Sequence, residues 1–387
     1  MRMDPFHGSN TLPAGHGALR MTTIDPPTRA EESHAPVGQQ ISFPVLRFSY
    51  PLKLIVSRPY RNDLHKLQVG LVYLLNYGGG LLSGDQLALD IHLDDKCQLL
   101  CLSQGSTKVF KEKDRSANRF SSPANRDSLY PSSQTTTITP TGTPDVSRQN
   151  ITAKIGSNAT LLMLPSYVTC FRDSSFVQKQ IYHLQDHSSS LVCLDWFTSG
   201  RSLSTRLPEN QNHSNQNESW TFKKFQSFVE VYISSNRIVR ENLVLLRDQH
   251  HPTQDHFTLY ANLYLVCSSN NSKLIKTLDR LKELDRNTNK TRRQQPQSSA
   301  KTKDEQQSDQ SQLLWCLSEL IHHPDPEITP TIHPPPPDLR PLLPRPSVRT
   351  AIIRIGSYSS ILVRDWLEKN LADLQELIGP EFYRNCF

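Results

Sequence analysis

Four charged residues stand inside otherwise apolar, turn-bounded text. They are Asp85 after a run of glycines, Lys108 in STKVF, Asp195 in LVCLDWF and Arg201 in TSGR. A carboxylate in an apolar stretch is costly unless it is paired or hydrated. Asp195 therefore implies a structural ion pair, for instance with Arg201, or else a polar hydrated passage or an interface. Asp85 and Asp195 would also suit an acid and base for glycoside hydrolysis if they faced one open cleft about 5–10 Å apart. The residues alone leave these alternatives open.

Other chemistries fail on spacing. Gly79 and Gly84 have the separation of a phosphate loop, but Asp85 follows where such a loop needs lysine. A carboxylate there would repel the ligand, and no strand–helix unit follows. The glycines read instead as a turn with positive φ between strands. No G-x-S-x-G, H-E-x-x-H or paired C-x-x-C occurs. Cys97 and Cys101 share strand parity, which suits core packing. His250-His251 and His322-His323 could catch Ni²⁺ or Zn²⁺ weakly, and they read as solvated loop residues.

These residues must be held mostly by strands. Leu87, Leu89, Ile91 and Leu93 alternate with polar neighbours, the period of a strand with one buried face. Phe176, Gln178, Gln180 and Tyr182 share one face of the next such stretch, and Val177, Lys179, Ile181 and His183 the other. Helical spacing appears late. It covers Lys273–Arg286, a short stretch Gln312–Ile321, and Ile361–Ile378, which Ser360 would cap and Gly379-Pro380 would stop. The expected fold is mainly β, with two helices in the C-terminal third.

Composition sets the outer limits. Only 36% of the 387 residues are hydrophobic, and 27 prolines cluster. That pattern predicts one ordinary core interrupted by solvated excursions. Residues 1–40 read as a disordered arm. Residues 41–387 read as one domain with polar insertions near 112–150, 202–218, 287–311 and 322–346. No apolar run is long enough for a membrane span, and no signal peptide or presequence is evident, with Met1 and Met21 both possible starts. Seven scattered cysteines predict reduced thiols in a cytoplasmic protein. The net charge of +6 owes much to the run Lys290–Lys303, which has no aromatic for base stacking. A solvated linker fits it better than a nucleic-acid patch.

The blocks GGGLLSGDQLALDI, QGSTKVFK, LPSYVTCF, LDWFTSGR and the closing EFYRNCF come in an order that resembles the urease accessory protein family UreD, called UreH in some bacteria. The resemblance covers most text outside the insertions, about 240 residues, a reasonable single domain. The long insertions suggest a eukaryotic, fungal or plant, member. Glu218 and Trp220 look like the family's acidic–aromatic pair, displaced from Arg201 by an insertion.

The resemblance implies a non-enzyme with a β-helix-like stack of strands. It implies a scaffold or chaperone that docks on urease apoprotein and UreF, which engages the GTPase UreG. No cofactor is held tightly, and Ni²⁺ is in transit through a water-filled passage. By motif, Asp85 and Asp195 would line or gate that passage. Lys108 and Arg201 would pair with them or mark an interface, together with Thr107, Gly79 and Gly84. A conduit should hold metal weakly, through oxygen ligands and water. Neither nucleic acid nor membrane is expected as a partner. The competing expectations are a β-helical polysaccharide-active hydrolase and a basic RNA-binding adaptor.

Overall fold

The computed structural model describes residues 6, 12–24, 40–57, 60–61, 68–113, 145–201, 218–247, 257–294, 313–320 and 348–387. The chain begins with β1 (His16–Ile24), β2 (Gln40–Phe48), β3 (Leu52–Val56), β4 (Tyr60–Arg61) and β5 (Gln68–Asn76). Next come β6 (Gly80–Leu81), β7 (Gln86–Leu93), β8 (Gln98–Ser103), β9 (Thr107–Val109) and β10 (Ser147–Ile155). The middle holds β11 (Thr160–Met163), β12 (Val168–Cys170), β13 (Ser175–Leu184), β14 (Ser190–Thr198), β15 (Lys224–Ile233) and β16 (Asn236–Leu246). The chain then forms β17 (Leu259–Ser268), α1 (Ser272–Gln294), β18 (Leu313–Leu320) and β19 (Val348–Ser357). It closes with α2 (Ser360–Asn370), α3 (Gln375–Ile378) and α4 (Pro380–Tyr383).

The strands form two sheets. The first has the order β16-β15-β13-β10-β7-β1-β2, and the second follows β18-β19-β17-β14-β11-β8-β5-β3. From β5 to β15 the main strands of these two paths alternate between the sheets. Each crossover between parallel neighbours is therefore a strand of the opposite sheet. The inner faces pack on each other through residues such as Leu89, Ile91, Leu99, Leu161 and Phe176. The outer face of the second sheet packs beneath the helices, through Leu194, Trp196, Leu263, Leu278 and Leu367. Eight of the nine residues of β14 are buried because both of its faces are covered. The alternation expected at 87–93 is present, with the four apolar side chains inward.

Several boundaries differ from the sequence expectation. Residues 16–24 are not part of a disordered arm. They form β1, paired with β2 and β7. Its small residues hide the strand signal, but a Cβ on Gly17 would stand 2.7 Å from Leu52 Cδ2. Residues 147–150 belong to β10 rather than to an insertion, and α1 continues to Gln294 rather than ending in a linker at 287. Residues 313–320 are a strand, not a helix. Pairing with β19 and the packing of Trp315 against Trp366 override a weak local preference.

The final helix is also segmented. It stops at Asn370, resumes after a 3₁₀ turn, and is capped by Ser359 rather than Ser360, with the Ser359 hydroxyl accepting from Ile361 N. The rest of the arm and of the insertions, the basic run beyond 294 and both histidine pairs lie outside the described residues.

Candidate functional site

The polar blocks far apart in sequence meet at one end of the sandwich. β6, β9 and β12 form a short strip attached to β14. Their register places Gly80 beside Lys108, Lys108 beside Thr169, and Thr169 beside Thr198. Thr198 Oγ1 donates to Thr169 Oγ1 at 3.0 Å. Gly79 and Gly84 have φ of +75° and +84°, the turn conformations expected of them. Asp85 closes the second turn: its carboxylate accepts from Leu82 N at 2.8 Å. Lys108 is exposed. Thr107 N donates to Tyr167 O, and Thr107 lines a narrow cleft with Asn76, Ser103, Gln149 and Pro165.

Arg201 lies on the same rim. Its guanidinium meets Glu218 through two bonds, Nη2–Oε1 at 2.5 Å and Nε–Oε2 at 3.0 Å. It also covers the Phe171 ring, 4.4 Å from the centroid. Glu218 follows the 202–217 segment, so the fold restores a pair that the sequence separates. Arg201, as hydrogen-bond donor, holds the Glu218 carboxyl below its ordinary pKa range.

Asp195 sits elsewhere, between the sheets and 6% exposed. β14 points it inward together with Cys193 and Phe197. Oδ1 accepts from Gln178 Nε2 at 2.8 Å, and Oδ2 accepts from Ser227 Oγ at 2.5 Å. Both donors come from the facing sheet. Burial raises the Asp195 pKa, while the bonds from Ser227 and Gln178 pull it down. The neighbouring interior is also polar: Tyr182 OH donates to Gln180 Oε1 at 2.7 Å.

Strand register extends this cluster into a polar seam. On the first sheet Gln149 aligns with Gln178, and Gln178 with Ser227. On the second, Asp195 aligns with Asn262, Asn262 with Arg354, and Arg354 with Cys316. Arg354 Nη2 donates to Glu241 Oε1 across the sheets at 2.6 Å. The seam thus runs from the Thr107–Gln149 cleft, past Asp195, to the edge at β18.

The four charged residues singled out by sequence do not form one site. Asp195 pairs with neutral donors, not with Arg201, and Arg201 pairs with Glu218. Lys108 pairs with neither aspartate. Asp85 is occupied in a turn, whereas Asp195 is enclosed, so the two do not face an open cleft as an acid–base pair. Gln178, Ser227 and Asn262 were missed, whereas Glu218 was expected after Arg201 from the family resemblance. The amides on the same face as Phe176 and Tyr182 were the available signal, because that face is the buried one.

Among the described residues no cluster of three or more histidine, cysteine or acidic side chains could hold a metal. Burial pushes the Cys101 and Cys170 thiols up to about 12, so they pack as neutral groups. Cys97 and Cys101 both face the inner core. No helix of the described residues is long and apolar enough to cross a membrane.

Comparison with known proteins places these features in context. A family model described as the UreD urease accessory protein matches residues 43–307. Urease accessory protein 4 of Cryptococcus neoformans var. grubii is 34% identical over 198 residues, 51% of this chain and 54% of the relative. A ureD-like urease accessory protein of Schizosaccharomyces pombe is 29% identical over 229 residues, 56% of this chain and 63% of the relative. Urease accessory protein D of Arabidopsis thaliana is 30% identical over 197 residues, 51% and 52% of the two chains. The chain thus spans between half and two thirds of the length of these curated relatives.

Proposed function

The chain belongs to the UreD urease accessory protein family, an accessory family and not an enzyme family, and we propose that it is a scaffold that passes nickel towards the urease active site. Its expected partners are urease apoprotein and UreF-like and UreG-like accessory proteins, in the cytoplasm. The observation that carries the reading is the buried seam around Asp195. A carboxylate enclosed without a cation is costly, and two neutral donors only partly offset that cost.

The donor set suits transit. Carboxylate and amide oxygens from Asp195, Gln178 and Asn262 would hold Ni²⁺ weakly, whereas a thiolate or imidazole cluster would trap it. Burial favours the protonated form of Asp195. A divalent cation favours the ionised form, so arrival of the ion would release a proton and departure would take one up. Asp195 then never stays as an uncompensated charge. Gln178 and Ser227 hold its two oxygens in place from the opposite sheet.

The test separates assembly from delivery. Cells lacking this gene should fail to activate urease, and the wild-type chain should restore activation and co-purify with urease and the UreF-like protein. D195N should co-purify equally well but activate urease at least about tenfold less, the loss expected when one transit ligand changes. Full activation by D195N would remove the seam from the pathway. Activation unaffected by gene deletion, with no complex formed, would overturn the functional reading.

A further inference from the structure

The end that carries the polar strip also concentrates the exposed apolar side chains. Tyr50 is 68% and Ile361 67% exposed, and Tyr77, Leu82 and Tyr358 are exposed as well. They lie on one rim. Tyr50 and Tyr77 are 5.6 Å apart between ring centroids. From there the register runs Gly80, Lys108, Thr169, Thr198, Leu259 and Ser357, next to Tyr358. Along the second sheet the rim crosses from β3 to β19, six strand spacings or about 30 Å. That width matches the face of a standard protein–protein interface.

The charges on this rim are one-sided. Four of its carboxylates are engaged, Asp85 by Leu82 N, Glu112 through Oε2 by Lys223, Asp173 by Arg247 and Glu218 by Arg201, while Glu112 Oε1 is buried without a partner and Asp365 is exposed beside Arg364. Among the described residues Lys53, Lys108, Lys111 and Lys113 meet no carboxylate. Lys53 instead lies 5.5 Å from the centroid of the exposed Tyr77 ring. A buried guanidinium nitrogen, Arg364 Nε, lacks any hydrogen-bond partner, and its side chain lies over Tyr167 on the same side. The chain's own excursions from this end supply only part of the missing charge: residues 248–256 hold Asp248 and Asp255 with no lysine or arginine, and residues 295–312 hold Lys301 and Lys303 against Asp304, Glu305 and Asp309. Residues 114–144 hold Arg115, Arg119 and Arg126 against Asp114 and Asp127, and residues 202–217 hold Arg206 against Glu209.

We propose that this rim docks an acidic protein face with an apolar centre, seated over the mouth of the Thr107–Gln149 cleft. Tyr50, Tyr77 and Ile361 supply the apolar contact, and Lys53 and Lys108 set the orientation. The proposal rests on the scaffold reading above and names the face by which the scaffold engages its partner. It also explains why four of the family motifs, those around Gly79–Asp85, Thr107–Lys108, Thr169 and Thr198–Arg201, reach one exposed end.

The experiment measures binding of the full chain to urease apoprotein, and separately to the UreF-like protein, at low and high salt. K53E/K108E should weaken one of these complexes about tenfold or more and flatten its salt dependence. K154E, on the outer face of the other sheet, should leave both unchanged. Normal binding by K53E/K108E would overturn this surface while leaving the scaffold reading intact. Failure of the wild-type chain to bind either protein would overturn both. Loss confined to binding of poly(U) RNA would assign the lysines to nucleic acid and overturn the proposal. Tighter protein binding after deletion of 114–144, unaffected by K53E/K108E, would make that insertion the occupant and also overturn it.

Discussion

Asp195 and Glu218 are both carboxylates close to a motif, yet the fold treats them in opposite ways. Glu218 meets a cation at the rim, and its pKa falls. Asp195 meets only neutral donors inside the sandwich, and its pKa rises. The rim pair is thus an ordinary stabilising contact. The buried aspartate is a liability that packing alone does not explain. Where a fold retains an unpaired buried charge, a task for that charge is the economical account.

The largest effect that tests this contrast should come from D195N. Besides losing urease activation, the variant should unfold less readily than the wild type at neutral pH. In the folded state the raised pKa means that Asp195 binds its proton more tightly than in the unfolded chain. Its contribution to stability is therefore full below the ordinary carboxylate range and is lost as pH rises through the raised value. The gap between D195N and wild type should widen over that interval and close in acid. Denaturant midpoints measured across pH check it. A D195N variant less stable at every pH would mean that the carboxylate is structural, and the contrast would collapse.

The two regions were also unequally legible. The rim could be read from the sequence because its glycines, Asp85 and the Thr107–Lys108 step lie in short motifs whose turn chemistry is local. Only the Arg201–Glu218 pair needed the fold, since 16 residues intervene. Asp195 was recognisable as a charge in apolar text, but its partners were not. Gln178 and Ser227 come from strands on the opposite sheet, and strand alternation reveals a shared face without saying which face is buried. β18 and β1 were missed for a related reason. Their residues carry weak local signals, and pairing with β19 or β7 decides their state.

A middle-sized effect should fall on the rim's backbone. Gly200 has φ of +144°, and a Cβ there would stand 2.3 Å from Glu218 O. G200A should therefore destabilise the protein by about 1–3 kcal/mol, through strain and displacement of the returning chain. Thermal unfolding of the full chain measures it. A neutral G200A would show that the return at Glu218 is not closely specified, and the rim would lose its standing as a built surface.

The smallest effect should come from E218Q. Arg201 is 56% exposed in its side chain, so solvent screens the pair and its loss should cost less than about 1 kcal/mol. The sign with pH is opposite to that at Asp195. Because the folded pKa of Glu218 is lowered, its stabilisation is present above the ordinary carboxylate range and lost as pH falls through the lowered value. E218Q should therefore differ slightly from wild type at neutral pH and match it in acid, while the D195N gap also closes in acid but from the other side. If E218Q instead cost more than G200A, the ion pair rather than the backbone would hold the rim. The two carboxylates would then differ in degree rather than in kind.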